Sequence, residues 1–214
     1  MHAKLFRSFN TLFFGFAMVL LAALYESRSI IAIFGKPSQI IMIPVTVVAA
    51  AAFLVPSAAV SSVRWQVTVL RLRYAGLAMV GLGPFYSWHL RSYGNLYLTA
   101  NGGLALLSAV WFLLELTILL EILFKNVQNP QLAALSVRTH QATSFVLFAP
   151  ILTIYFFLLG KMWQDNLLTV HSLHYVWHDI PTTIRAFIRV AVVVPLAGAL
   201  LLTWQAHRAA ARLD

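Results

Sequence analysis

The chain predicts an all-α, polytopic integral membrane fold, and three observations carry that prediction. Six stretches, 8–24, 39–60, 67–88, 103–124, 142–163 and 184–204, are long and apolar enough to cross a bilayer. A crossing helix takes about 20 mostly apolar residues, because the hydrocarbon core is about 30 Å thick and each helical residue rises about 1.5 Å. The composition agrees, with 61% of the 214 residues hydrophobic and 10% charged, and a mean hydropathy of +0.83. Third, the regular dyad alternation that a transmembrane barrel needs is missing. Helices are then the way to satisfy backbone N–H and C=O groups in lipid. Six spans with short connections use nearly all of the length, so a single membrane domain over 1–214 is expected, without a soluble domain. Five spans are the alternative count.

The first span follows Lys4 and Arg7, as the apolar region of a signal peptide follows its basic start. The exit Leu21-Ala22-Ala23-Leu24-Tyr25-Glu26 offers no small-x-small cleavage site, so an uncleaved span is expected. Span two contains Pro44 and Pro56, expected to bend it near both ends. Its centre, Ala49-Ala50-Ala51-Ala52, suits close helix packing. Span three is the weakest. Arg71 and Arg73 must snorkel if it starts near Val67, and Gly76, Gly81, Gly83 and Pro84 disfavour a helix. It is retained as a crossing because 67–88 is long enough and ends on the interfacial aromatics Phe85, Tyr86 and Trp88.

Span four is expected to start at a Gly102-Gly103 break and to run to Phe124. Span five, 142–163, holds Pro150, which should kink it. An amphipathic interfacial helix is expected over 167–180, stopped before Pro181. Span six, 184–204, carries Pro195 and is followed by a basic tail of His207, Arg208 and Arg212.

The formal charge of +9 comes from 15 Lys and Arg scattered singly over loops and helix ends. A nucleic-acid partner is not expected from such scatter; cations at membrane boundaries snorkel to head groups and set topology. With six spans and the N-terminus inside, Lys4, Arg7, Arg64, Arg71, Arg73, Lys125, Arg138, Arg208 and Arg212 lie inside. Arg28, Lys36, Arg91, Lys161, Arg185 and Arg189 then lie outside, a count of nine against six. A five-span chain gives the same ratio, so charge fixes a cytoplasmic N-terminus but not the side of the C-terminus. A bacterial-type inner (plasma) membrane is the expected location. Zero cysteines exclude disulfides, thiolate metal sites, iron–sulfur clusters and cysteine nucleophiles.

Glu115 is the first candidate for chemistry. It lies twelve residues beyond Gly103, about 18 Å at helical rise and so near the midplane of its span. A carboxylate there costs several kcal/mol unless it is protonated, paired or facing a wet cavity. It is a candidate proton or cation site, or a structural ion pair with Arg71, Arg73 or Arg189 as partner. Glu121, one turn before Lys125 in the favourable i,i+4 order, is read as a local salt bridge.

His171, His174 and His178 form the second constellation. At about 100° per residue they fall on one narrow stripe of the 167–180 helix, opposite Val170, Leu173, Val176, Trp177 and Ile180. Neighbouring pairs of these imidazoles suit Zn²⁺ or Cu²⁺; the alternative is a polar face toward water or another subunit. Haem between helices needs histidines deep in spans, whereas His89 and His140 are placed at span ends and His2 and His207 near the termini. Ser108 inside span four has no deep histidine to activate it, and no phosphate-binding glycine loop occurs. Trp65, Trp88, Tyr93, Tyr97, Trp163, Tyr175, Trp177 and Trp204 read as an interfacial belt.

Three functions follow as expectations. The first is a non-catalytic structural or accessory subunit of a multi-subunit membrane complex, with Phe13, Phe14, Phe16, Phe145, Phe148, Phe156 and Phe157 facing lipid or partners. The second is a small transporter or channel using Glu115 for coupling or selectivity. The third is a metal- or haem-handling redox protein built on the histidine stripe. No cofactor and no enzymatic activity are expected under the first reading, whose partners are the bilayer and other membrane subunits.

Overall fold

The computed structural model describes residues 2–28, 42–89, 95–165 and 181–211, and these fold as helices and their connections, with no strand among them. Seven α-helices result: α1 (His2–Arg28), α2 (Met42–Leu54), α3 (Val63–His89), α4 (Leu96–Asn126), α5 (Pro130–Ala142), α6 (Ala149–Asp165) and α7 (Thr182–Ala211). A π-helical segment, Thr143–Phe148, joins α5 to α6 without a break. Among the described residues, three helical stretches are long and apolar enough to cross a membrane: Ala3–Leu21, Ala100–Asn126 and Pro130–Phe157.

The helices alternate in direction. Arg64 of α3 sits beside Glu121 of α4, and Gly76 faces both Ala49 of α2 and Phe112 of α4. Those pairs make α3 antiparallel to α4, and Arg73 reaching the Val55 carbonyl with Gly83 against Met42 makes it antiparallel to α2. A three-residue turn reverses the chain from α4 into α5. Phe6 against His207 and Phe13 against Trp204 pair α1 antiparallel with α7. Arg28 of α1, Lys161 of α6, and Arg185 and Arg189 of α7 stand toward one end of the helices; the opposite end, the more basic of the two, holds the start of α1, the α2–α3 connection, the α4–α5 turn and the close of α7. Lys4, Arg7, Arg64, Arg71, Arg73, Lys125, Arg138 and Arg208 all lie in that half.

Helix α4 is the centre of the packing. Phe112, Leu116, Leu119, Leu120, Leu123 and Phe124 are buried in one core with Phe9 and Leu12 of α1, Ala51 and Ala52 of α2, and Val69 and Leu72 of α3. The alanine run in α2 thus serves close packing. Glycine matters where backbones or rings approach: at Gly103 the ring of Tyr155 occupies the space a Cβ would need.

Several sequence expectations are corrected. Span two does not run on to 60: the helix described from Met42 ends at Leu54. Pro56 explains the stop, since the residue before a proline is pushed out of the α region. Span three has no weak point at its glycines or at Pro84, and is one helix of 27 residues. Gly102-Gly103 is not a break either: α4 begins at Leu96, capped by Asn95, whose side chain accepts from the Leu98 N–H.

Span five starts twelve residues earlier than expected, at Pro130, with Asn129 as the N-cap. Pro150, expected to kink it, follows directly on the π-helical segment, which accommodates the missing N–H and the ring's bulk against the previous turn. Trp65, in the first turn of α3, is fully buried, and its indole donates to the Pro56 carbonyl at 3.0 Å. The 167–180 helix falls outside the described residues.

Candidate functional site

Helix α4 carries Leu104, Ser108, Trp111 and Glu115 at spacings of three and four residues, so they form one stripe along it. Glu115 is 6% exposed and is the one buried charged residue among the described residues. Its Oε1 accepts from the Trp111 indole Nε1 at 3.1 Å, while Oε2 is buried with no hydrogen-bond partner. Trp111 itself is 37% exposed, so the indole bridges the carboxyl and the outside of the helix pair.

On the far side of Trp111 lies an apolar cleft of about 340 Å³. Ala78 and Leu82 of α3, Leu104, Leu107, Ser108 and Trp111 of α4, and Phe148 of the π segment line it. The Ser108 hydroxyl is turned away, donating to the Ala105 carbonyl of its own helix at 2.7 Å. What the site offers chemically is therefore an acceptor with one unfilled position behind an indole, next to a greasy groove.

The three arginines considered for Glu115 are placed differently. Arg73 is used elsewhere: its Nη2 donates to the Val55 carbonyl at 2.7 Å and to the Phe53 carbonyl at 3.4 Å. It thereby satisfies carbonyls that the end of α2 leaves without partners. Arg71 is exposed and makes no ion pair among the described residues. Arg189 lies on α7, and its side chain is outside the described residues.

Glu121 pairs with Lys125 one turn away and approaches Arg64 at 4.0 Å. His171, His174 and His178 lie outside the described residues. Among the described residues no group of three His, Asp or Glu is arranged to hold a metal ion.

A polar contact that the sequence did not reveal joins α4 to α5. His140 Nδ1 lies 3.0 Å from the hydroxyl of Thr117, which is 1% exposed. His140 was expected at a span end; because the helix starts at Pro130, it lies inside the apolar stretch Pro130–Phe157 instead. The Asn129-Pro130 pair was the available signal, being an N-cap residue followed by proline in the first helical position. Comparison with protein-family models, curated proteins and solved structures finds no match for this chain.

Proposed function

We infer that the chain is a non-catalytic membrane subunit of a larger assembly, crossing the bilayer six times with its N-terminus in the cytoplasm. One observation carries the subunit reading. Of the three helical stretches suited to crossing, Pro130–Phe157 has only 11% of its apolar window buried within the chain, against 33% for Ala3–Leu21 and 56% for Ala100–Asn126. It exposes Phe145, Ile154, Phe156 and Phe157, a large apolar face open to lipid or to a partner helix.

Alternating helix directions and the basic end support the orientation, because Lys and Arg concentrate on the cytoplasmic side. A photo-crosslinking residue placed at Phe157 in the native membrane tests the subunit reading. Capture of one polypeptide at fixed stoichiometry supports it, and capture of lipid alone removes it.

A second reading, a small transporter or channel, draws on the unpartnered Oε2 of Glu115. Such an acceptor suits a proton or a cation in transit. Uptake in proteoliposomes that persists unchanged in Glu115→Gln removes it.

A further inference from the structure

Resting on the subunit reading above, we propose that a transmembrane helix of a partner subunit packs along the outer face of α3 and sets an Asp or Glu carboxylate against Arg71. Val63, Val67, Leu70, Tyr74, Leu77 and Gly81 alternate steps of four and three residues, which confines them to about 80° of arc on α3. All six are exposed, Val63 and Tyr74 at 76% and 56%. Such steps give the period of about 3.5 that seats one helix along another. At Gly81 nothing stands within 4 Å of where a Cβ would be, so a second backbone can approach there.

The depth of Arg71 decides between protein and lipid on this face. Arg64 beside Glu121 and Gly76 against Phe112 set the register of α3 on α4. Counted from those two pairs, Arg71 is level with residues 114–117, well inside the apolar stretch Ala100–Asn126. At least nine residues, about 14 Å at helical rise, separate that level from Asn126. Ionisable side chains at such depth face the bundle interior or take a polar partner. Arg73 and Glu115 do so, Arg73 on the carbonyls of Phe53 and Val55 and Glu115 buried on the Trp111 indole. Arg71 instead flanks the apolar face, exposed and without an ion pair among the described residues. Lipid leaves that charge uncompensated, whereas a carboxylate on a neighbouring helix neutralises it.

Glu115, at the same level, is buried and makes no ion pair with Arg71, and Glu121 is engaged by Lys125 and Arg64. A second copy of the chain fits badly, because a two-fold axis along the membrane normal brings Arg71 against Arg71 at one depth. The occupant that fits is a different helix, apolar along its seam, with an acid at middle depth beside it, where flanking charges select the partner.

A photo-crosslinking residue placed at Tyr74, in the full chain in its native membrane, reads this face directly. The expected product is one membrane polypeptide, crosslinked within an apolar helix that contains Asp or Glu. Arg71→Gln should lower its yield by about three-fold or more, the factor that one interhelical polar contact contributes in a membrane. Arg71→Lys should keep most of the yield. Arg138→Gln, which removes an exposed cation of α5, should leave it unchanged. Exchanging the charges, with Arg71→Asp here and Lys in place of the partner's acid, should recover it.

Capture at Tyr74 of lipid alone, of a second copy of the chain, or of a partner segment without Asp or Glu overturns the proposal. So does a yield that Arg71→Gln leaves intact, or that Arg138→Gln lowers equally. The same crosslinker at Phe157 tests the subunit reading separately. Polypeptide captured at Phe157 with lipid alone at Tyr74 removes the α3 contact and leaves the subunit reading standing; lipid alone at both removes both.

Discussion

The Trp111 indole N–H donates to Oε1 of Glu115, four residues further along α4, and leaves Oε2 buried without a partner. A buried polar atom without a partner costs about 1–3 kcal/mol, whereas replacing it by an apolar group of similar shape is near neutral or stabilising. Glu115→Leu should therefore leave the isolated chain as stable as the wild type, or stabilise it by about 1–2 kcal/mol. Trp111→Phe should destabilise it by about 1–3 kcal/mol, because both oxygens are then unpaired. Thermal unfolding in detergent, followed by circular dichroism, checks both signs. A large loss in Glu115→Leu would mean that the carboxyl has a stabilising partner.

Arg71 and Arg73 are two residues apart and should behave in opposite ways. Arg73 satisfies carbonyls at the end of α2, so Arg73→Gln should cost about 1–3 kcal/mol. Arg71 is exposed, and Arg71→Gln should stay within about 0.5 kcal/mol of the wild type in the same melts.

Gln128 closes α4 with φ at 57°, the left-handed region. The Asn129 N–H reaches back to the Phe124 carbonyl and the Gln128 N–H to the Lys125 carbonyl, a helix stop of the kind that usually employs glycine. A non-glycine residue there costs about 1–2 kcal/mol. After the greater backbone freedom of glycine in the unfolded chain is subtracted, Gln128→Gly should stabilise by about 0.5–1 kcal/mol. An unchanged or lower melting point would contradict this.

Topology is open to direct labelling, because the chain has no native cysteine. Ser57 lies in the α2–α3 connection and Gln131 in the first turn of α5, both exposed and both at the basic end. Tyr97, 63% exposed, marks the opposite end. An impermeant maleimide added outside intact cells should label Tyr97→Cys and neither Ser57→Cys nor Gln131→Cys. All three on one side would mean that the α3–α4 hairpin does not cross.

The sequence carried the helical class and the long apolar helices because hydropathy averages over about 20 residues and tolerates local interruptions. It did not carry the element ends. Proline at 56 reads only as a bend until it is seen to stop α2, whereas proline at 150 is absorbed by a π turn. Glycine at 103 reads as a weak point, yet it is the seat of the Tyr155 ring. Glu115 stands out as a lone acid in an apolar run, but nothing in the sequence singles out Trp111, four residues earlier, as its partner. Arg73 was weighed as a counter-charge for Glu115, and its carbonyl partners at the end of α2 depend on a tertiary contact that spacing does not encode. The Thr117–His140 contact was missed because the start of α5 was misplaced.

Native mass spectrometry of the chain, extracted gently from its own membrane, tests the central claim most directly. The account predicts the chain together with other membrane polypeptides at fixed stoichiometry. A lone or purely homo-oligomeric species would contradict it.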